Sequence, residues 1–482
     1  MAGITRQISE FVAGIGYDRL PDGVASRVKL LLMDTVGIAL RAHHDAESTP
    51  SLLAAADSLG LAGGKASVIG EESGYTPTGA ALINGTLAHS LDFDDTHAPA
   101  SLHPSAPIVP AALAAAEMTG AKGRDVIAAI VAGYEVQIRL SLALVPKDHY
   151  VRGFHPTATC GAFGAAAAAA RVFALTADEV AHAFGIALSQ AAGSVQFVLG
   201  GAWTKRFQVG YAAMNGLIAA TLAREGFTGA AEPIEGKAGF LRSYAPEPAM
   251  EKATEGLGSV YETMAIAVKP YPCCRYAHAA LDALIELGAA NDIDPEEIEA
   301  VEIGLPRTGW NIIGGPEEVK QNPRNVVEGQ FSMAFVAAVV LRQGGLDWDD
   351  YGRHLGDPET LALCKRVRCI VDPRAEAEFP RQMSGAARVS TKSGTFETFV
   401  AVPKGEPENF PDAAELRAKF DALLGPCLAP EAIDRLAEGL DALDDAEDIS
   451  RVLRLTRGGP AQPLPTQSLK VAAGRGSSGR GR

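Results

Sequence analysis

The run Cys160-Gly-Ala-Phe-Gly-Ala-Ala-Ala-Ala-Ala-Ala170 constrains the fold more than any other stretch of the chain. Alanine is the best helix former, so the run reads as a helix, and its small side chains let neighbouring helices approach closely. A helix of this kind belongs inside a helical core. At a bilayer it is far below the roughly 20 apolar residues that span the hydrocarbon, and Val126–Tyr134 falls short in the same way. With 47% of 482 residues apolar and 21% charged, the chain can build a large globular core around it.

Helical spacing runs through the first 265 residues, in Ser26–Leu40, Pro107–Ala116, Val126–Leu144 and Ala158–Phe173. Thr176-Ala-Asp-Glu179 has the form of a capping box opening a helix over Val180–Ala191. From residue 266 the pattern changes. Strand character appears in Glu299–Leu305, Arg366–Val371, a run near Val389 and Thr395–Val402, with Lys392-Ser-Gly394 as a hairpin turn. Helices Ala277–Ala290 and Gln330–Leu341 lie between the strands, and helical spacing returns from Ala413 to Leu453. The pattern predicts a mainly α protein: a helical first part (1–265), a smaller α+β domain (266–403), a helical return segment (404–456) whose folding back onto the first part makes the smaller domain an insertion, and a disordered tail (457–482).

Several function classes drop out early. A net charge of −15 disfavours nucleic acid and anionic membranes as partners. The opening MAGITRQISEFVAGIGYDRL is amphipathic and partly acidic, unlike an export signal, so a soluble cytoplasmic protein is expected. The six cysteines form no C-x-x-C pair, which predicts reduced thiols. Gly60-Leu-Ala-Gly-Gly-Lys65 has the wrong spacing for a phosphate loop, and neither G-x-G-x-x-G behind a strand nor G-x-S-x-G occurs.

Chemistry concentrates in His89-Ser-Leu-Asp92-Phe-Asp94-Asp95-Thr96-His97, followed by Leu102-His103-Pro-Ser105. A helix reaching through this stretch puts His89 and Asp92 on one face, and a loop returns His103. Imidazoles beside carboxylates suit proton transfer near neutrality. The same residues fit a solvated helix end, or a divalent ion held by His89, Asp92, Asp95 and His103 in a metal-dependent hydrolase. His155 precedes the alanine-rich helix, Lys205-Arg206 follow a Gly200-Gly201 turn, and Lys269-Pro-Tyr-Pro-Cys-Cys-Arg275-Tyr-Ala-His278 sits at the join between domains. Taken singly, these suit a capping histidine, a solvated cation and a rigid hinge as well as they suit a site.

Together the motifs resemble the MmgE/PrpD family over about residues 5–455. They are MDTVGIAL (33–40), AHSLDFDDT (88–96), LHPS (102–105), GFHPTATCGAFGAAAAAARV (153–172), TKRFQVGYAAMNG (204–216) and KPYPCCRYAH (269–278). The family includes 2-methylcitrate dehydratases, cis-aconitate decarboxylases and iminodisuccinate epimerases. The resemblance implies a fold that is mainly α with an α+β lid, its all-helical large domain formed by both chain ends and the smaller α+β domain inserted as the lid, and a homodimer that acts on a small polycarboxylate without metal or organic cofactor. It also implies catalytic roles for Asp92, His103, His155, Lys205 and Lys269, with Thr96, Arg275 and His278 binding substrate. Where some relatives have a histidine five residues after the lid lysine, this chain has Cys274, and a lid tyrosine of the decarboxylases has no match around Gln321-Asn-Pro323. The expected activity is therefore that of a 2-methylcitrate dehydratase-like hydro-lyase, with decarboxylation or epimerisation as the alternatives. In that mechanism His103 or His155 moves the proton at carbon, Asp92 orients an imidazole, Thr96 holds a carboxylate, and Lys205, Lys269 and Arg275 offset substrate charge. A non-catalytic helical scaffold is the remaining rival.

Overall fold

The computed structural model describes residues 3–199 and 202–457. The expected Gly200-Gly201 turn and the tail from 458 onward lie outside the described residues.

Helices dominate the first half: α1 (Ile4–Gly14), α2 (Asp22–Asp45), α3 (Thr49–Ser58), α4 (Pro77–Ala88), α5 (Ser105–Thr119), α6 (Gly123–Ala143), α7 (Pro146–Val151), α8 (Pro156–Val172), α9 (Ala177–Ala187), α10 (Thr204–Arg224) and α11 (Phe240–Tyr244). The alanine run is the body of α8, which starts on Pro156, whose missing N–H costs nothing in a first turn. All but one of the α8 side chains are buried. Neighbours come close because glycines leave room. A Cβ on Gly164 would strike Gln137 and Ile108, and one on Gly216 would strike Ala165. The Thr176–Glu179 capping box forms as expected, with Thr176 Oγ1 accepting from the Glu179 N–H and Glu179 accepting from the Thr176 N–H.

Two hydrophobic clusters divide the core. One joins residues 8–268 to the return segment 416–453, where helices Ala413–Leu424 and Pro430–Asp441 supply Phe420, Leu436 and Leu440. The other lies within 273–400. It is built on a sheet of β3 (Ile298–Leu305), β4 (Val367–Val371), β5 (Gly385–Thr391) and β6 (Gly394–Val400), in the order β4-β3-β5-β6. The β3–β4 pair is parallel and the others antiparallel, with Val301 opposite Val367 on one side and Val389 on the other. Helix α12 (His278–Asn291) packs against β5 and β6.

Four details depart from the sequence reading. The helical body carries a small hairpin, β1 (Ala62–Ser67) and β2 (Gly74–Tyr75), which places the last four residues of the rejected glycine motif in a strand. At 21 residues α6 is long and apolar enough to cross a membrane, but it is packed inside the core. The helix expected over Gln330–Leu341 is two: Val326–Gln330 ends, Ser332 caps, and Met333–Gln343 follows, with Ser332 Oγ accepting from the Phe335 N–H at 3.1 Å. Finally α4 stops at Ala88, before the acidic cluster rather than through it.

Candidate active site

Because α4 ends at Ala88, His89 and the residues after it form a turn instead of a helical face. Asp92 takes φ +52°, a left-handed conformation that aspartate tolerates better than most side chains. A short antiparallel bridge between Thr96 and Ala267 pins the far end of the turn to the connector 266–278 between the two hydrophobic clusters (the hinge), and α5 restarts the helix at Ser105. Successive side chains of the turn therefore leave in different directions.

Asp92 points at two ammonium groups. Lys205 Nζ, from the first turn of α10, donates to Asp92 Oδ1 at 2.5 Å, and Lys269 Nζ, from the hinge, donates to Oδ2 at 3.1 Å. Burial alone would raise the Asp92 carboxyl, but Lys205, Lys269 and His103 override it and hold the group well below the usual carboxylate range. Lys269 is buried too. Burial works against its charge, and Asp92 and Asp94 outweigh burial and keep it above its ordinary value.

The expectation that Asp92 orients an imidazole is thus overturned: it is committed to the lysines, and Asp94 faces the histidines. His89 Nδ1 and Asp94 Oδ2 share a hydrogen bond of 2.7 Å, and His103 Nδ1 lies 3.2 Å from the same oxygen. The His89 and His103 rings meet edge to face with centroids 4.6 Å apart, and His155 stacks beyond His89 at 6.0 Å. His155 occupies the N-cap position of α8 and contacts Gln208 Oε1 at 3.2 Å through Nδ1. Burial pushes the His89 imidazole down to about 4, with Asp94 opposing, and pushes His155 well below its ordinary value, with His89 and Lys205 adding to the effect. Both rings are neutral at pH 7. His89 Nε2 and Asp94 Oδ1 are buried without a hydrogen-bond partner, so the cluster has polar capacity to spare.

All five expected catalytic residues therefore meet. Side chains of Lys205, Asp92 and His103 keep 24, 13 and 14% of their surface, which opens the cluster to solvent on that side, whereas Lys269 and His155 line its closed side. The other three are placed differently. Arg275 donates to Thr96 Oγ1 at 2.9 Å and, through Nε and Nη2, to the two carboxylate oxygens of Glu406, so the guanidinium is already paired and braces the Thr96 turn. Thr96 is held between Arg275 and the Ala267 backbone. His278 is buried against the Cys273 carbonyl and the edge of Tyr271, its imidazole kept neutral by burial and by Lys269 and Arg275.

The metal set expected for a hydrolase does not assemble. Asp92 faces the lysines, and Asp95 accepts from the Ser105 N–H at 3.0 Å and from its hydroxyl. His89, Asp94 and His103 do offer ligand atoms within 4.8 Å of one another. Asp94 escaped the sequence reading because three carboxylates in four positions look interchangeable until the left-handed Asp92 decides which way each one points.

Comparison with known proteins places the chain in a family. The MmgE/PrpD N-terminal domain matches residues 6–253 and the MmgE/PrpD C-terminal domain residues 271–445. A cis-aconitate decarboxylase-like protein of Aspergillus oryzae is 29% identical, over 94% of this chain and 97% of its own length. The cis-aconitate decarboxylase of Aspergillus terreus is 28% identical over 96% of this chain and 98% of its own, and the human enzyme of that name 26% over 96% of each.

Proposed function

Because the chain belongs to the MmgE/PrpD family, we propose that it is a cofactor-independent lyase of a small polycarboxylate, and that it decarboxylates a cis-aconitate-type acid rather than dehydrating 2-methylcitrate. The decarboxylases among its full-length relatives support this choice over the hydro-lyase expected from sequence. The observation that carries it is the meeting of two ammonium groups on one carboxylate beside three imidazoles.

Loss of CO₂ from an acid with a double bond one carbon away breaks a carbon–carbon bond and pushes its electron pair through that double bond. Negative charge then develops on a carbon next to another carboxylate, and a proton must be delivered there. Lys205 and Lys269 can exchange part of their contact with Asp92 for substrate carboxylates and stabilise the developing charge. His103, backed by Asp94, delivers the proton and regains one from solvent on its exposed side. Neutral His155 and Gln208 hold a further carboxylate or hydroxyl.

Dehydration keeps one specific support: a neutral, deeply buried His155 suits a base that takes a proton from carbon. Incubating chelator-treated protein with cis-aconitate, 2-methylcitrate and iminodisuccinate, and following products by NMR, separates the readings. Carbon dioxide and an unsaturated dicarboxylate from cis-aconitate are expected. Water loss from 2-methylcitrate alone returns the assignment to the hydro-lyase, and silence on all three acids ends it.

A further inference from the structure

Three consecutive carbonyls of the site's central turn each accept a hydrogen bond from a side chain on a different element. Gln330 Nε2, at the end of helix Val326–Gln330 in the smaller cluster, donates to Leu91 O at 2.6 Å. Lys269 Nζ, in the hinge, donates to Asp92 O at 2.7 Å. Lys419 Nζ, on helix Ala413–Leu424 of the return segment, donates to Phe93 O at 3.2 Å. Both outer donors are also tied to the hinge. Gln330 donates to Pro272 O at 3.1 Å and accepts from the Cys274 N–H at 3.0 Å through its own carbonyl, and Lys419 donates to Lys269 O at 2.9 Å. Lys419 is anchored in turn by an ion pair of 2.6 Å with buried Asp34 of α2.

We propose that Gln330 and Lys419 are positioning residues, acting through the 91–93 turn to hold Asp92 against its two lysines and Asp94 against its two histidines. The inference rests on the lyase reading for its kinetic arm only. A turn with a left-handed Asp92 at its centre is set by whatever its carbonyls bond to, and a buried carbonyl stripped of its donor costs free energy and drives rearrangement. Displacement of a catalytic group by about 1 Å costs roughly a hundredfold in rate. Gln330 lies between Val326 and Phe331, which pack against the cluster that contains the β-sheet, so the seating of that cluster and the shape of the turn are linked. The cavity of about 440 Å³ behind the turn, lined by Phe93, Lys269, Trp348, Lys404 and Lys419, offers no comparable site, because Lys419, Lys269 and Lys404 are already paired with Asp34, Asp92 and Glu415.

Gln330→Met keeps the volume and removes the donor. A double Asp34→Asn/Lys419→Met variant removes the second donor without leaving a lone buried charge. For whichever acid the wild type turns over, kcat is expected to fall at least tenfold in each variant. Calorimetric affinity for the unreactive propane-1,2,3-tricarboxylate should change less than threefold, and Tm of Gln330→Met by only a few degrees. Unchanged kcat in both variants, or losses that match the fraction unfolded, overturns the proposal. A crystal structure of Gln330→Met tests the positioning independently of the reaction: Asp92 displaced from Lys205 and Lys269 supports it, and a carboxylate within about 0.5 Å of its original place overturns it. A wild type silent on every acid tested refutes the lyase reading alone.

Discussion

At the scale of single residues, the site is a matter of which carboxylate serves which cation. Asp94 meets two imidazoles at one oxygen, so Asp94→Asn is expected to lower kcat about 10- to 100-fold with little change in KM, because it removes the negative charge that both rings face while the lysines stay in place. Steady-state kinetics checks this, and an unchanged kcat would contradict it. Asp95 does different work. Burial pushes its carboxyl up to about 8 against the help of Ser105, so it is protonated at pH 7. An acid whose pKa is higher in the folded chain stabilises fully below its unfolded value, near 4, and that contribution is lost as pH climbs toward 8. Asp95→Asn mimics the protonated form, and its melting temperature should exceed the wild type's by several degrees at pH 8, with the gap closing as the pH falls to about 4. The sequence marks this cluster plainly, since so many carboxylates and imidazoles in one stretch suit neither a core nor a plain loop. It does not say which aspartate does what, because that turns on the backbone angle of Asp92.

Among elements, the helices are the legible part. The alanine run, the capping box at Thr176 and the Thr395–Val402 strand all announce themselves through period and capping chemistry, and each appears where expected within a few residues. What hides is interruption. The break after Gln330 depends on Ser332 serving as a cap inside a run that is otherwise apolar at helical spacing, and the β1–β2 hairpin is too short and glycine-rich to show alternation. Close packing is legible only as composition. Gly85 and Gly210 bring α4 and α10 together so tightly that a Cβ on Gly210 would strike the Leu82 carbonyl and Thr86. Gly210→Ala should therefore cost about 1–3 kcal/mol, since the obstruction is backbone and cannot swing aside. Differential scanning calorimetry should register a lower Tm, and an unchanged one would contradict the packing.

Over the whole molecule, the residues of the site come from stretches far apart in sequence: the turn after α4, the start of α8, the start of α10 and the hinge at Lys269. One hydrophobic cluster joins both ends of the chain and the other lies between them, and the hinge passes from one to the other under the hold of Arg275, Gln330 and Lys419. Sequence patterning alone shows the change of texture near residue 266. The arrival of Lys205 and Lys269 on one carboxylate follows only from packing, and the motifs' likeness to a family anticipates it without explaining it. The most direct test is titration calorimetry with propane-1,2,3-tricarboxylate on wild type, Lys205→Met and Lys269→Met. One ligand per chain, bound at least tenfold more weakly by either variant, is the predicted result. A wild type that binds none, or two variants that bind as well as the wild type, would contradict a site built to receive a multiply charged acid.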